Sequence, residues 1–350
     1  MRTIDGSYGE GGGQILRTAL VLSAVMGEPV RLVRIRAGRP NPGLAAQHLA
    51  TVRACQRVVA AEVEGARLGS LELTFAPRRR PVASAYEFDI GAARRGGSAG
   101  SAALLGQTVA LVLSFADRPS TVEVRGGTHV PWSPTADYLA AVWVPAIARL
   151  GYRVGVHARR PGWYPAGAGR LLLDIDPARP RGWVNLQGRG ALRRIGVFAV
   201  ASRLPEHVPR RMVEQVHRRF GALGVPFETS ACVVDASSAG AAVTVVLGFD
   251  RTEAGFSALG ERGVPAEEVA DRACREAAAF VAGSADVDEH LADQLLVAAA
   301  LAGAETRFTA PRLTGHTAAN AYVIEAFGIA TVDIADGPGG TVEVRIRPKG

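Results

Sequence analysis

Three segments of the chain share one design, a glutamine followed by an apolar run at helical spacing: Gln14-Ile-Leu-Arg-Thr-Ala-Leu-Val-Leu-Ser, Gln107-Thr-Val-Ala-Leu-Val-Leu-Ser and Gln294-Leu-Leu-Val-Ala-Ala-Ala-Leu. A short run of alternating or β-branched residues follows each, over 30–35, 121–125 and 305–308, and reads as a strand. A second helix comes next, over 43–61, 134–150 and 317–327, and after it further strands such as 71–75, 171–175 and 341–346. Helix, strand, helix, strands, three times over, is an internal repeat, and it restricts the chain to an α+β fold of three like units. The identical pentapeptides at 121–125 and 341–345 add nothing, because they occupy different places in their units. Residues 184–279 break the pattern with their own strand (195–201), helix (209–223), strands (227–234, 242–248) and helix (266–281). This stretch reads as an inserted, smaller α/β domain, leaving 1–183 and 280–350 as the body of three repeated helix-and-sheet units.

Composition narrows the chemistry. The 350 residues, 48% hydrophobic with mean hydropathy +0.12, suffice for a large core and two domains. The longest apolar stretch, 295–302, falls well short of the ~20 residues of a membrane span, and the polar start carries no signal-like segment, so a cytoplasmic location without membrane association is expected. Cys55, Cys232 and Cys274 are too few and too scattered for a disulfide framework or a zinc site. The net charge is +7, and almost all of the positive charge is arginine, because Lys349 is the sole lysine. Lysine nucleophiles, Schiff bases and lysine-dependent phosphate loops are therefore excluded, and covalent chemistry needs another nucleophile. Arginine pairs at 78–80, 94–95, 159–160, 193–194, 210–211 and 218–219 could track phosphates or simply replace lysine on solvated faces.

Two segments carry candidate chemistry. Asp5-Gly-Ser-Tyr-Gly-Glu-Gly-Gly-Gly-Gln-Ile-Leu-Arg17 sets Glu10 among five glycines just before the first apolar helix. Glycines bare backbone N–H groups and the helix start favours anions. In that setting a carboxylate suits a metal ion, while N–H groups, Gln14 and Arg17 meet phosphates. The segment also reads as a tight strand-to-helix turn with a solvated Glu10. Near the C-terminus, Leu313-Thr-Gly-His316-Thr-Ala-Ala-Asn320 leads into a helix. The positive end of that helix favours a neutral, nucleophilic imidazole and receives phosphate, although a capping or surface role also fits a loop histidine.

Taken together, these segments resemble the RNA 3′-terminal phosphate cyclase family over nearly the whole chain. The resemblance rests on D-G-S-x-G-E-G-G-G-Q-I-L-R at 5–17, I-R-A-G-R at 35–39, P-G-L-A-A-Q-H at 42–48, G-S-A-A-L-L-G-Q-T at 100–108, G-G-T at 126–128, G-W-Y-P-A-G-A-G at 162–169, L-A-D-Q-L at 291–295 and His316. It implies an architecture similar to 5-enolpyruvylshikimate-3-phosphate synthase, three repeated units plus an insert. It also implies an ATP-dependent reaction in which His316 takes AMP with loss of pyrophosphate, passes it to an RNA 3′-phosphate, and the ribose 2′-OH closes a 2′,3′-cyclic phosphate. By the same resemblance Glu10 is the ligand of a divalent metal, Mg or Mn. Gln107 and His290, Leu291, Ala292, Asp293 and Gln294 belong to the ATP site, and Pro131 packs on adenine. Gln14, Arg17, Arg39 and Gln47 contact phosphates or the RNA end. His48, beside Gln47 in a helix, could approach the site, whereas His129, His157, His207 and His217 read as structural or solvated. Two positions depart from the family pattern: His290 stands where tyrosine is frequent, and Ala319 where threonine is, which implies altered nucleotide affinity and a reduced rate. A non-catalytic RNA-processing scaffold of the same family is the main alternative, and the presence of His316 argues against it. An enolpyruvyl transferase would be expected to carry lysines in its anion site. The oligomeric state has no sequence signal.

Overall fold

The computed structural model describes residues 1–93, 98–179, 183–303 and 305–349. The first unit runs β1 (Arg2–Asp5), α1 (Gly13–Met26), β2 (Val30–Val33), α2 (Ala46–Val59), β3 (Glu62–Glu64) and β4 (Leu73–Ala76), with sheet order β1-β2-β4-β3. The second runs β5 (Ala85–Asp89), α3 (Ala102–Leu113), β6 (Ser120–Gly126), then a helix in three continuous pieces, α4 (Ala136–Tyr138), a π turn at Leu139–Trp143 and α5 (Val144–Arg149), and finally β7 (Arg153–Arg160) and β8 (Gly169–Asp176), with order β5-β6-β8-β7. The π turn has a local cause. Pro145, at the start of α5, has no N–H for the carbonyl of Ala141, and Val144 N–H instead bonds one residue further back, to Leu139.

The third unit is interrupted. Its first strand, β9 (Trp183–Asn185), precedes the insert, which comprises β10 (Leu192–Ser202), α6 (His207–Phe220), β11 (Phe227–Val233), β12 (Gly240–Phe249), β13 (Glu253–Leu259) and α7 (Ala266–Ala282). The unit resumes with α8 (Glu289–Ala302), β14 (Glu305–Ala310), α9 (Gly315–Phe327), β15 (Ala330–Asp336) and β16 (Val342–Pro348). Its sheet order, β9-β14-β16-β15, repeats the first two. In all three sheets the first pair is parallel and the other two are antiparallel. Three units are thus established by connectivity as well as by pattern.

The repeat differs from the sequence reading in two respects: each unit begins with a strand before its first helix, and α3 and α8 begin well before Gln107 and Gln294, so that only Gln14 stands at a helix start. Val184 and Asn185, expected at the start of the insert, pair with Thr306 and Arg307 in the third sheet. The second helices of units one and two start later than expected, whereas α9 starts earlier, at Gly315. Gly43 is left-handed (φ 79°) and Ala45 extended, so α2 begins at Ala46. Thr135 caps α4 by accepting from Tyr138 N–H at 3.1 Å, which excludes Pro134 from the helix.

The three sheets carry their helices inward, where Leu16, Leu20, Val109, Val112, Leu295, Leu296 and Ile324 are all essentially buried in one core. There α1 packs against α3, α8 and α9. The insert has its own core, Ile195, Val197, Val243, Val245, Met212, Val216, Ala270 and Ala277, between its sheet and the pair α6 and α7. No described helix is long and apolar enough to cross a membrane.

Candidate active site

Because the three units meet through their first helices, Gln14 in the first turn of α1 and Gln107 and Gln294 in the middle of α3 and α8 are brought to one place. Gln14, Gln107 and Gln294 all line a cavity of about 490 Å³, within the range of small-molecule sites. Gln107 Nε2 donates to Gln294 Oε1 at 2.6 Å, and Gln14 Nε2 donates to Asn320 Oδ1 at 3.0 Å. Thr18 Oγ1 also donates to Asn320 Oδ1 (2.6 Å), and Asn320 Nδ2 donates to the carbonyl of Asp293 (2.7 Å). One polar network therefore ties α1, α8 and α9 beneath the cavity floor.

His316 stands at the second position of α9 and lines the same cavity. Thr314, the N-cap, accepts from Thr317 N–H at 3.0 Å, and the hydroxyls of Thr314 and Thr317 both donate to Asp293 Oδ1, at 2.6 and 2.5 Å. The histidine's backbone is thus anchored to α8 while its ring remains 42% exposed. Burial raises the Asp293 carboxyl above its ordinary range, and does the same to Glu276, which reaches the cavity from α7. Both shifts reduce the negative charge that an anionic ligand would meet.

Arg17 supplies the opposite sign. It lies deep in the cavity wall, where burial lowers its pKa to about 10 and still leaves it charged near neutral pH. Its guanidinium donates to Gln14 Oε1 at 2.5 Å, and among the described residues no carboxylate pairs with it. Behind it, His48 is buried, accepts at Nδ1 from Ala45 N–H (3.1 Å), and is held neutral: burial first, then Arg17 and Arg36, push it down to about 3.

The glycine loop before α1 turns through left-handed Gly9 and Gly11 (φ 58° and 57°) and ends at Gly12, which caps α1 without a side chain. This carries Glu10 to the N-terminus of α9, so close that a Cβ at Gly315 would sit 2.4 Å from Glu10 Cγ. Glu10 Oε2 lies 3.2 Å from Arg39 Nη2 and 3.9 Å from His316 Nε2. Units one and three are clasped beside this loop by the stacked rings of Tyr8 and Tyr322, 4.3 Å apart, and by Asp5 N–H donating to Tyr322 Oη. Among the described residues no three His, Cys, Asp or Glu side chains converge to hold a metal ion. A lone carboxylate suits Mg²⁺ or Mn²⁺ held mostly by phosphates and water, and does not suit an all-protein cage.

The expected residues divide accordingly. Gln14, Arg17, Gln107, Pro131, His290, Asp293, Gln294 and His316 share the cavity. Glu10 and Arg39 stand beside His316. Gln47 is elsewhere engaged, accepting from Ser101 N–H at 3.1 Å and so bracing the start of α3. Leu291 and Ala292 are core residues, 1% exposed, because the face of α8 opposite Asp293 and Gln294 must be buried. Ala319 is likewise buried in the core. Several arginines that could have tracked phosphate are paired instead: Arg193 with Asp250, Arg194 with Glu228, Arg210 with Glu206, Arg211 with Glu267 and Arg219 with Asp271. Arg94 and Arg95 lie outside the described residues.

Other cavity residues had no reading from sequence. The insert contributes Gly255, Phe256, Ser257 and Leu259 of β13 as well as Glu276, and nothing local to those segments signals a contact made across domains. Trp132, at the cavity rim, is 99% exposed with a left-handed backbone (φ 63°). A tryptophan framed by prolines in Pro131-Trp-Ser-Pro134 was a readable signal, since packing does not demand it there.

Residues 8–334 match the family described as RNA 3′-terminal phosphate cyclase. A protein of that name from Methylococcus capsulatus is 45% identical over 345 residues, covering 98% of this chain and 95% of its own. Another, from Gloeothece citriformis, is 42% identical over 334 residues, covering 95% of each. Among solved structures, the enolpyruvyl transferase NikO from Streptomyces tendae matches 51% of this chain and 33% of its own at 17% identity, with a TM-score of 0.29, too slight a likeness to argue from. With Gln14, Gln107 and Gln294 of its three units converging on one cavity, and with relatives of this similarity across almost its full length, the chain belongs to the RNA 3′-terminal phosphate cyclase family.

Proposed function

We propose that this chain uses ATP to convert an RNA 3′-terminal phosphate to a 2′,3′-cyclic phosphate through a covalent AMP on His316. The observation that carries the reading is His316, half exposed at a helix N-terminus, sharing a cavity with the uncompensated cation Arg17. An imidazole nitrogen of His316 attacks the α-phosphorus of ATP, the bond to the bridging oxygen breaks, and pyrophosphate leaves. An oxygen of the RNA 3′-phosphate then attacks the same phosphorus, breaking the P–N bond, which protonation of the ring makes labile. Finally the neighbouring 2′-OH attacks the terminal RNA phosphorus, expels AMP and loses its proton, a five-membered closure favoured by high effective molarity.

Arg17 and Gln14 would orient phosphates, Pro131 and His290 would flank adenine, and the paired amides of Gln107 and Gln294 would hold the nucleotide against the floor. Glu10 is the residue suited to a nucleotide-borne Mg²⁺ or Mn²⁺, which when bound supplies charge neutralisation at the phosphates. Arg39 then exchanges its ion pair with Glu10 for a phosphate contact.

Incubation with α-labelled ATP and magnesium should leave acid-labile label on the denatured protein, and none on His316→Asn. Label retained by the variant would remove His316 from the role. An oligonucleotide ending in a ribose 3′-phosphate should cyclise, whereas the same end on 2′-deoxyribose should stop at the adenylated phosphate. RNA binding without any use of ATP would favour the scaffold reading instead.

A further inference from the structure

Trp132 is more exposed than any other large apolar side chain among the described residues: 99%, against 72% for Met1 and 71% for Tyr164. Two other tryptophans, Trp143 and Trp163, are buried. An indole in water forgoes the burial that makes tryptophan useful in a fold. The left-handed backbone at a non-glycine residue adds strain that this loop nevertheless retains.

The backbone that carries the ring is held on both sides. Thr128 and His129 N–H donate to the Gly162 carbonyl at 3.0 and 3.1 Å, and Gly162 N–H donates to Thr128 Oγ1 at 2.9 Å. His129 Nε2 meets Asp137 Oδ2 at 2.9 Å, Ser133 bonds the N-cap Ser101, and Pro131 and Pro134 restrict the backbone on either side. The indole is therefore carried on a fixed backbone at the rim of the cavity that holds His316 and Arg17.

We infer that Trp132 is the stacking platform for the nucleobase of the RNA's 3′-terminal nucleotide, an inference that rests on the cyclase reading above. Adenine is the less suitable occupant, because Pro131 and His290 already offer it two flanking surfaces, whereas the indole stands at the rim, 99% open to solvent. A nucleotide that directs its 3′-phosphate inward to an AMP on His316 leaves its base at the rim. Stacking is tolerant of sequence, since every base has a π face, so the platform would anchor any 3′ end and read none.

Trp132→Ala should raise KM for a short 3′-phosphorylated RNA about tenfold, the scale of one lost base–aromatic stack, with little change in kcat, and Trp132→Phe should recover most of the loss. An RNA whose terminal nucleotide lacks its base should show the same raised KM with the unaltered protein and no further rise with Trp132→Ala. Equal KM values for the two proteins on ordinary RNA, or a second rise on the abasic RNA, would overturn the assignment. So would a weakened ATP dependence of adenylation in the absence of RNA, which would give the ring to adenine. If the unaltered protein takes no label from ATP, the cyclase reading itself fails. Indole fluorescence still decides the platform in that case: a 3′-phosphorylated oligonucleotide should shield Trp132 from a collisional quencher, with the effect absent from Trp132→Phe, and unshielded emission would reject it.

Discussion

Arg17 invites a test in which stability and function move in opposite directions. Its pKa of about 10 lies some 2.5 below the ordinary guanidinium value, and at about 1.4 kcal/mol per unit the fold bears about 3 kcal/mol to keep this charge in the cavity wall. Arg17→Met keeps much of the stem and removes the charge. It forfeits a hydrogen bond from a charged donor to Gln14, worth about 2 kcal/mol, so the empty variant should be more stable by about 1 kcal/mol. The sign follows from linkage: the folded state releases the Arg17 proton first, so the penalty is complete below pH 10 and fades as pH rises toward the ordinary guanidinium value. Removing one partner of a buried charged contact typically costs 2–5 kcal/mol, so ATP affinity should fall roughly 30- to 5,000-fold. Thermal unfolding with and without ATP checks both halves. The unliganded midpoint should rise by about one to two degrees, while the ATP-induced upward shift of the unaltered protein should vanish. A variant that is less stable when empty yet still stabilised by ATP would refute the argument and make Arg17 a structural residue.

His48 gives the fold an acid-sensitive element. Because its folded pKa is depressed to about 3, the unfolded chain takes up the proton first, and stability falls as pH drops below about 6.5, by about 2 kcal/mol at pH 5. His48→Gln should flatten that part of a urea-denaturation series, and an unchanged slope would place the acid sensitivity elsewhere. Glu10→Ala should depress adenylation and raise the metal concentration needed by about tenfold or more; an identical metal titration would return Glu10 to a role in the turn alone.

The repeat and the cavity floor were legible because their signals are local. A glutamine before an apolar run is visible wherever it occurs, and three copies said that the helices are equivalent, although α3 and α8 start well before Gln107 and Gln294. The opening strands escaped notice because β1, β5 and β9 are three to five residues long and carry polar residues such as Arg2, Asp5, Glu87 and Asn185. Leu291 and Ala292 were drawn into the site by their place in a motif, although a helix that offers Asp293 and Gln294 to a cavity must turn its neighbours into the core. Glu276 and β13 reach the cavity only because the insert folds back against it, a long-range contact with no local trace. The arginine pairs looked like a phosphate track because their partners, Asp271 for Arg219 and Glu267 for Arg211, lie on a different helix of the insert.

The interrupted third unit has a consequence for how the molecule is made. On a ribosome, β9 emerges early and waits, since its partner β14 appears only after the whole insert has been synthesised. With its own core the insert can condense during that interval, shortening the gap that β9 and β14 must close. Gln294 and His316 arrive after it. A growing chain therefore displays Arg17 and Gln107 while it still lacks His316, and the proposed transfer of AMP would have to wait until the third sheet has assembled around β9.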